Sequence, residues 1–419
     1  DNGSIVAAAE YYLHEPLLQG DRDYLRCAQD MAFDGPNGNR IDREDRSILA
    51  GTPLAGCSAT NLYANTVIDA VFGTRWVPSP DGSTIGMIPG YIPRPSPLPN
   101  YANSGEAWFI DVLNFPFMDS QQIIDKQEKI SAFASADFAL GSVNWRTQFL
   151  YNHRETETHR YRQFFPLIGG STALIPGYGY ANSPDYFAPV DSGIAQPIMP
   201  FSSDQKIEVD YYYLTTKFDG LLGFTDTWAW EANASYSRSD GEYSNLSIVA
   251  SRSGDVQFDD NAPVLDYFSP DFLSGRRMKD LEAQIGQWHT GNTLYQQTVV
   301  NALVTGEMFQ MPAGAAAAAI GLEFRDYSID DQPRALSTGG DLWGQSSAQV
   351  TKGNDQVVEA LVEMEFPLLK GKPGFESLTF NTSGRIFDYD SLDGTDHVWK
   401  AGLNWQVNSA LRLRATRGT

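Results

Sequence analysis

The stretch HRETETH holds the side chains of this sequence best suited to bind a metal ion. On an extended strand, His153, Glu155, Glu157 and His159 share one face, and second neighbours lie within reach of one ion. Imidazole and carboxylate are ligands for zinc or iron. We nevertheless expect no metal site, because no cysteine joins the set and the stretch continues the outward side of a strand beyond Tyr151, where polar residues replace apolar ones.

Two acidic segments have the composition of calcium sites but not their spacing. Segments 34–42 and 388–396 are rich in Asp and Asn, yet neither forms a calcium loop with its closing Glu. The second is better explained as a hairpin turn built on Asp-Gly. The sequence also has no nucleophile motif, no Gly-rich phosphate loop and no recognisable catalytic pair of carboxylates. It therefore indicates neither an enzyme nor a bound cofactor.

Charged side chains recur on one face of several successive predicted strands. Neighbouring strands with opposite charges can form cross-strand pairs. The alternative is that these are hydrated charges lining a polar interior. The residues are Glu323, Arg325, Glu359, Glu363, Glu365, Arg385, Lys400, Arg412 and Arg414.

Aromatic residues cluster in two long polar segments, where a ligand could stack on their rings. Long connections on a rigid scaffold commonly carry binding residues. The alternative is that the rings pack the connections against each other. The candidate ligand-binding residues are Tyr91, Tyr101, Trp108, Tyr178, Tyr180 and Tyr186, with Phe187 beside the last.

The elements that must position these residues are strands with apolar and polar residues in alternation. In WAWEANASYS, one face carries Trp228, Trp230 and Tyr236, and the other carries Glu231 and Asn233. At about 3.4 Å per residue and a tilt of about 40°, the stretch from Trp228 to Tyr236 covers roughly 21 Å, close to the apolar band of about 25 Å in a membrane barrel. A soluble sheet also alternates, but nothing there selects Trp and Tyr for the strand ends.

A repeated unit organises the chain: strand, short turn, strand, long polar connection. Short turns are predicted at 140–142, 219–226, 311–315, 367–376 and 407–410, and long connections at 15–121, 160–205, about 245–297, 329–355 and 388–396. The predicted strands lie near 3–14, 122–139, 143–158, 206–219, 226–244, 298–310, 314–328, 355–366, 376–389, 396–406 and 410–419. Outer-membrane barrels have the same asymmetry, with short periplasmic turns and long extracellular loops.

Composition excludes some alternatives and leaves others. A formal net charge of -22 would repel a phosphate backbone, so nucleic acid is not an expected partner. No apolar run is long enough for a transmembrane helix, which does not exclude a membrane barrel, because barrel strands are apolar only at every second position. We therefore expect an all-β, antiparallel transmembrane β-barrel of the outer membrane.

Two further features concern the ends and the cysteines. The chain starts at Asp1 without a signal peptide and ends at Thr419 within the alternating run LRLRATRGT, so we expect it to be incomplete. Cys27 and Cys57 lie in a polar segment that suits a loop disulfide. Two unrelated free thiols remain the alternative.

The segment GRIFDYDSLDGTDHVWKAGLNWQVNSALRLRATRGT resembles the barrel of TonB-dependent receptors. That family commonly shows a strand ending in Arg and an acidic-aromatic hairpin, then a Trp-bearing strand with a Gly-Leu-x-Trp core, then Leu-Arg-x-Arg-Ala-x-x-Gly-Thr. The resemblance covers nearly the whole chain, strongly from about residue 122 and weakly across 15–121. The matching residues are Arg385, Asp388, Gly402, Trp405, Arg412, Arg414, Gly418 and Thr419.

The resemblance implies that residues 1–419 are a partial barrel domain, about 11 of an expected 22 strands, with 15–121 as a long extracellular loop. It implies a plug inside the complete barrel, against which the charged inward face would dock, and energised import of a scarce nutrient such as a ferric siderophore, with iron as the cargo. The implied partners are the TonB-ExbB-ExbD complex, acting through a TonB box in a missing N-terminal part, outer-membrane lipid and a small-molecule nutrient. In some members two cysteines of an early extracellular loop pair, as Cys27 and Cys57 would here.

Two other functions remain open at the level of sequence. A passive outer-membrane porin would share the strand pattern but lack a plug. A secreted, β-rich carbohydrate-binding protein or glycan-degrading enzyme would be obtained in soluble form without detergent.

Overall fold

A computed structural model describes most of the chain outside several long connections. The described residues are 2–22, 32–33, 40–41, 64–69, 75–79, 82–85, 88–93, 119–169, 194–258 and 265–419.

The described residues are mainly β-strands. In chain order the strands are β1 (Gly3–His14), β2 (Leu17–Leu18), β3 (Ala32–Phe33), β4 (Arg40–Ile41), β5 (Thr66–Asp69), β6 (Arg75–Pro78), β7 (Tyr91–Pro93), β8 (Gln122–Ile124), β9 (Lys126–Leu140), β10 (Val143–Thr158), β11 (Tyr161–Phe164), β12 (Ile168–Gly169), β13 (Ile194–Ser202), β14 (Gln205–Leu221), β15 (Ala229–Ile248), β16 (Gly286–Met311), β17 (Gly314–Pro333), β18 (Thr351–Lys372), β19 (Phe375–Tyr389), β20 (Asp396–Asn408) and β21 (Leu411–Gly418). The short helices are Pro270–Leu273, Met278–Ile285 and Ala335–Thr338, with 3-10 turns at Gln19–Asp21 and Ala250–Arg252.

Eleven long strands form one antiparallel sheet in the order β1-β9-β10-β14-β15-β16-β17-β18-β19-β20-β21. Every neighbouring pair is antiparallel, and neighbours in the sheet follow each other along the chain once the small loop strands are set aside. This confirms the predicted all-β, antiparallel fold and its eleven strands. Within the described residues the sheet is open, since β1 and β21 each pair with a single neighbour.

The strand register places apolar residues of successive strands in rows on one face. One row is Trp145, Phe218, Ala232, Ala302, Leu322, Ala360 and Ile386. Large side chains on this face remain exposed, and Leu322 keeps 61% of its surface. We call it the outward face. Because the side-chain period of a strand is two, every polar residue between these positions lies on the opposite, inward face.

Short turns join the strands at one end of the sheet, which we call the turn end. Turns of two residues occur at 141–142, 312–313, 373–374 and 409–410, and a longer one spans 222–228. At the first, Gly141 has a φ of 69°, a conformation that a side chain disfavours. The predicted turn at 367–376 was wrong in extent: β18 continues to Lys372 because a bulge between Pro367 and Leu369 accommodates the proline.

Several strands run further than predicted at the opposite end, which we call the loop end. β16 begins at Gly286 rather than near 298, and β15 ends at Ile248 rather than near 244. In these extensions polar residues are frequent on both faces, as in QWHTGNTLYQQ. Hydrogen bonds between backbones hold these extensions in the sheet whatever their side chains are. Side-chain alternation therefore does not reveal these parts of the strands in the sequence.

A second, smaller layer is built from the connections at the loop end. Its sheet has the order β11-β13-β5-β6-β7, with β12 pairing with β13. The helix Met278–Ile285 packs beside it and buries Met278, Leu281 and Ile285, which lie on one helical face. We call this layer the loop assembly.

Candidate functional site: the inward face and the loop assembly

A large cavity opens on the inward face near the turn end. Its volume is about 1160 Å³, and residues of six consecutive strands, β16 to β21, line it. Such a cavity requires the sheet to curve around it. Five of the charged residues singled out from the sequence line this cavity: Glu363, Glu365, Lys400, Arg412 and Arg414.

The acidic and basic residues of this cavity do not pair with each other. Glu363 lies opposite Ser383, which in turn lies opposite Lys400, so one whole strand separates the two charges. Among the described residues, no carboxylate oxygen of this cavity lies within ion-pair distance of its cationic nitrogens. Arg412 donates to the Gln406 side chain. Within the part of the chain that the structure describes, the cavity therefore presents carboxylates without ion-pair partners on one side and cations without ion-pair partners on the other.

The remaining four predicted residues form a charged cluster further along the same face. Arg325 pairs with Glu323 on its own strand, and Arg385 Nη1 lies 3.0 Å from Glu359 Oε2. Glu323 and Glu359 are register partners, so two carboxylates face each other with an arginine beside each. Glu359 is 6% exposed. Removing Arg385 would leave this buried carboxylate without its cation, which is costly.

Each of the four candidate side chains of the HRETETH stretch already lies against a polar or charged partner. His153 Nδ1 lies 3.0 Å from Asp210 Oδ1, and His159 Nδ1 lies 2.6 Å from Asp204 Oδ1. The two glutamates each lie near a lysine: Glu155 and Lys206 at 3.1 Å, Glu157 and Lys126 at 3.2 Å. Across the described part of the chain, no group of three His, Cys, Asp or Glu residues is arranged to hold a metal ion.

Among the predicted ligand-binding aromatics, Tyr91 falls within the described residues. It is 2% exposed and packs in the core of the loop assembly, and its hydroxyl donates to Asn65 Oδ1. The other predictions in this group lie outside the described residues, as does the pairing of the two cysteines: Tyr101, Trp108, Tyr178, Tyr180, Tyr186, Cys27 and Cys57.

The loop assembly has a continuous apolar core drawn from four separate connections. Trp76 comes from the connection after β1, Phe164 and Phe201 from the next, Leu281 from the third and Trp343 from the fourth. The sequence did not predict this core, because its members share no periodicity. Its signal was composition: large apolar residues inside otherwise polar connections.

Trp343 joins three of these connections at one point. Its ring centroid lies 5.0 Å from that of Phe164 and 4.8 Å from that of Phe165, and its Nε1 donates to Asp255 Oδ2 at 2.8 Å. Nearby, the Tyr267 hydroxyl donates to the Ser253 carbonyl at 2.9 Å, and burial raises the pKa of this phenol. These two buried polar groups are thus satisfied, which helps to fix the arrangement of the loops.

The described residues contain no helix long and apolar enough to cross a membrane.

Comparison with known proteins identifies a family and finds a weak likeness to solved structures. A family model described as TonB dependent receptor-like, beta-barrel, matches residues 144–419. No curated protein matches the chain. Among solved structures, the translocator domain of autotransporter NalP from Neisseria meningitidis is similar at 11% identity, over 70% of this chain and 75% of that chain, with a TM-score of 0.25. At that score the likeness carries no argument.

Proposed function

Because this chain belongs to the TonB-dependent receptor-like β-barrel family, we propose that it forms part of the wall of a bacterial outer-membrane receptor that imports a scarce nutrient, such as a ferric siderophore. The family consists of transporters rather than enzymes. Import through such a receptor is driven by the TonB-ExbB-ExbD complex in our proposal.

The observation that carries the proposal is the difference between the two faces of the large sheet. The outward face exposes rows of apolar side chains, including Ile320, Leu322 and Val358. A water-soluble protein rarely exposes so extensive an apolar surface, whereas contact with lipid removes that cost. The inward face is polar and charged. This division supports outer-membrane lipid as the partner of the outward face.

We also propose that the unpaired charges of the large cavity hold a plug domain. Glu363 and Glu365 on one side and Lys400 and Arg414 on the other lack ion-pair partners among the described residues. A plug with complementary charges would satisfy both sides at once. Charges that only lined a water-filled pore would have no such requirement.

The nutrient would enter from the loop end. The loop assembly provides a layer with a shared apolar core there, and the same connections contain the predicted aromatics Tyr101, Trp108, Tyr178, Tyr180 and Tyr186. Tyr91 would support that surface from within the core rather than contact the nutrient directly. Aromatic rings on a rigid support suit the binding of a siderophore.

The first experiment is to express the receptor, with every residue its gene encodes, in an outer-membrane-competent host. We expect a heat-modifiable barrel in the outer membrane and, with a panel of iron-loaded siderophores, accumulation of radioactive iron that requires TonB. Uptake that persists without TonB would favour a passive porin. A soluble product without detergent would overturn the proposal in favour of a secreted β-rich protein.

A second experiment tests the plug. Arg414→Glu places a negative charge where the proposal needs a positive one, so we expect it to weaken the contact between the plug and the cavity wall. A loosely held plug should let antibiotics through that are too large to pass an intact receptor, and the cells should become sensitive to them. Arg146→Glu is the control, since Arg146 lies on the inward face of β10 and pairs with Asp137 at 2.7 Å, away from the cavity. Equal antibiotic sensitivity of the two variants would contradict a specific contact between the plug and Arg414.

A further inference from the structure

A second, smaller cavity lies between the inward face and the loop assembly. Its volume is about 290 Å³. Its base is a register row across three strands, made of Thr158, Gln205 and Asn245. Ser203, Arg162 and Gln345 add side chains from the connections. Nearly all of the lining is polar, so the cavity is built for a polar occupant.

Arg162 is the unusual member of this lining. It has no carboxylate within ion-pair distance in the described part of the chain. One guanidinium nitrogen donates to the Trp343 carbonyl at 3.4 Å, and the guanidinium carbon lies 5.6 Å from the Trp343 ring centroid. Burial lowers the pKa of this guanidinium, in keeping with a charge removed from water. The cation–π contact offsets part of that cost but supplies no counter-charge.

The other charged side chains of the lining already have polar partners. Arg160 Nη2 lies 3.2 Å from Asp125 Oδ1, and Asp204 Oδ1 lies 2.6 Å from His159 Nδ1. Arg162 is therefore the charged side chain of the lining whose partner is missing. The carboxylate of Asp204 belongs to the same wall, which limits how much negative charge the cavity accepts and favours a single anionic group.

Neutral donors surround the same space. Gln205 donates to Asn245 Oδ1 at 2.8 Å, which leaves the Asn245 amide hydrogens available. Ser247 Oγ lies 3.1 Å from Gln345 Nε2 and 3.0 Å from His289 Nε2, so its position is fixed. An oxyanion between Arg162 and Asn245 would meet a planar guanidinium on one side and an amide donor on the other.

We propose that this cavity binds a carboxylate carried by the imported nutrient, with Arg162 as the principal binding residue and Asn245 as a second donor. The inference rests on the proposed import function and names the chemical class of its substrate. Planar carboxylates match the fork of an arginine. At about 290 Å³ the cavity lies at the lower end of ligand-site volumes, so it fits one substituent of a larger molecule.

Binding of small probes to the purified, complete receptor tests the assignment. Succinate is the carboxylate probe, succinamide its neutral counterpart, and inorganic phosphate the alternative oxyanion, each titrated calorimetrically at low ionic strength. We expect saturable succinate binding, weakened about tenfold or more in Arg162→Gln and less in Arg162→Lys, which keeps the charge. Asn245→Ala should also weaken it, without altering the loop connection that carries Arg162.

The matched control is Arg146→Gln, the same substitution on the same face at the turn end, which should leave succinate binding unchanged. Absence of saturable succinate binding, equal binding of succinamide, preference for phosphate, or unchanged affinity in both Arg162→Gln and Asn245→Ala would each overturn the assignment. TonB-dependent uptake is measured separately. A receptor that binds succinate through Arg162 but shows no such uptake would refute the proposed function and leave the anion site standing.

Discussion

Replacing Trp343 with alanine should release the fourth connection from the loop assembly. Trp343 is 5% exposed and contacts Phe164, Phe165 and Asp255. Truncating a buried tryptophan costs about 3–5 kcal/mol. Asp255, which is also buried, loses a donor, and an unsatisfied buried acceptor adds about 1–3 kcal/mol. The loop assembly should thus lose about 4–8 kcal/mol, an upper bound because Asp255 keeps its contacts with Gln257.

A matched variant separates the two contributions. Trp343→Phe keeps most of the ring packing and removes the indole N–H, so we expect a loss of only about 1–3 kcal/mol. Hydrogen exchange of backbone amides in the purified receptor is the assay. Each 1.4 kcal/mol lost should accelerate exchange about tenfold in residues 161–167 and 248–256. Amides of β17 in the large sheet should keep their protection.

Two results would refute this reasoning. If the alanine and phenylalanine variants exchange equally fast, ring packing does not hold the connection. If the amides of β17 lose protection as well, the loop assembly is not a unit that opens separately from the large sheet.

Three other perturbations have defined outcomes. Burial lowers the pKa of His289, so the unfolded chain binds protons more readily than the folded one. The free energy of unfolding should therefore fall as the pH drops from about 7.5 to about 5.5. Thermal unfolding of the receptor at several pH values measures this dependence, and His289→Gln should reduce it. Leu322→Arg should lower the free energy of unfolding by about 2–4 kcal/mol in lipid-dependent folding assays. Leu392 is equally exposed but lies in the connection after β19, so Leu392→Arg should change this free energy very little. Equal losses in the two variants would argue against lipid contact at Leu322. Arg385→Gln should cost about 1–3 kcal/mol in the same assay by leaving Glu359 unpaired, and adding Glu359→Gln should recover part of it; an additive double variant would mean that the pair is not coupled.

The long strands could be predicted from sequence where one face is apolar. β1 and β10 begin and end at the predicted residues, Gly3–His14 and Val143–Thr158. In those segments alternation alone fixes both the strand and the side of each residue. The same rule put all nine charged candidates on one face.

The ends of strands were harder to predict where the side chains do not alternate between apolar and polar. The start of β16, from Gly286 to about residue 297, has polar residues on both faces, so no clear alternation marks the part that pairs with β15. The turn predicted at 367–376 began at Pro367, a residue type that usually interrupts a strand, but a bulge accommodates this proline within β18.

The candidate sites required information on pairing that a sequence does not contain. That Glu359 would pair with Arg385, while Glu363 and Lys400 stay apart, depends on the register of three strands. Arg162 drew no attention in the sequence, because its isolation from carboxylates depends on how distant connections fold together. A buried cation without a partner can be recognised only in three dimensions.

The shared core of the loop assembly constrains how such a receptor could acquire a new ligand. β5 pairs with β13 across more than a hundred residues of sequence, and Trp343 closes the same core from a fourth connection. A graft that exchanged one connection alone would leave its former neighbours without their packing partners. Successful exchange of specificity therefore requires transplanting the connections together, or confining changes to side chains that face the cavity.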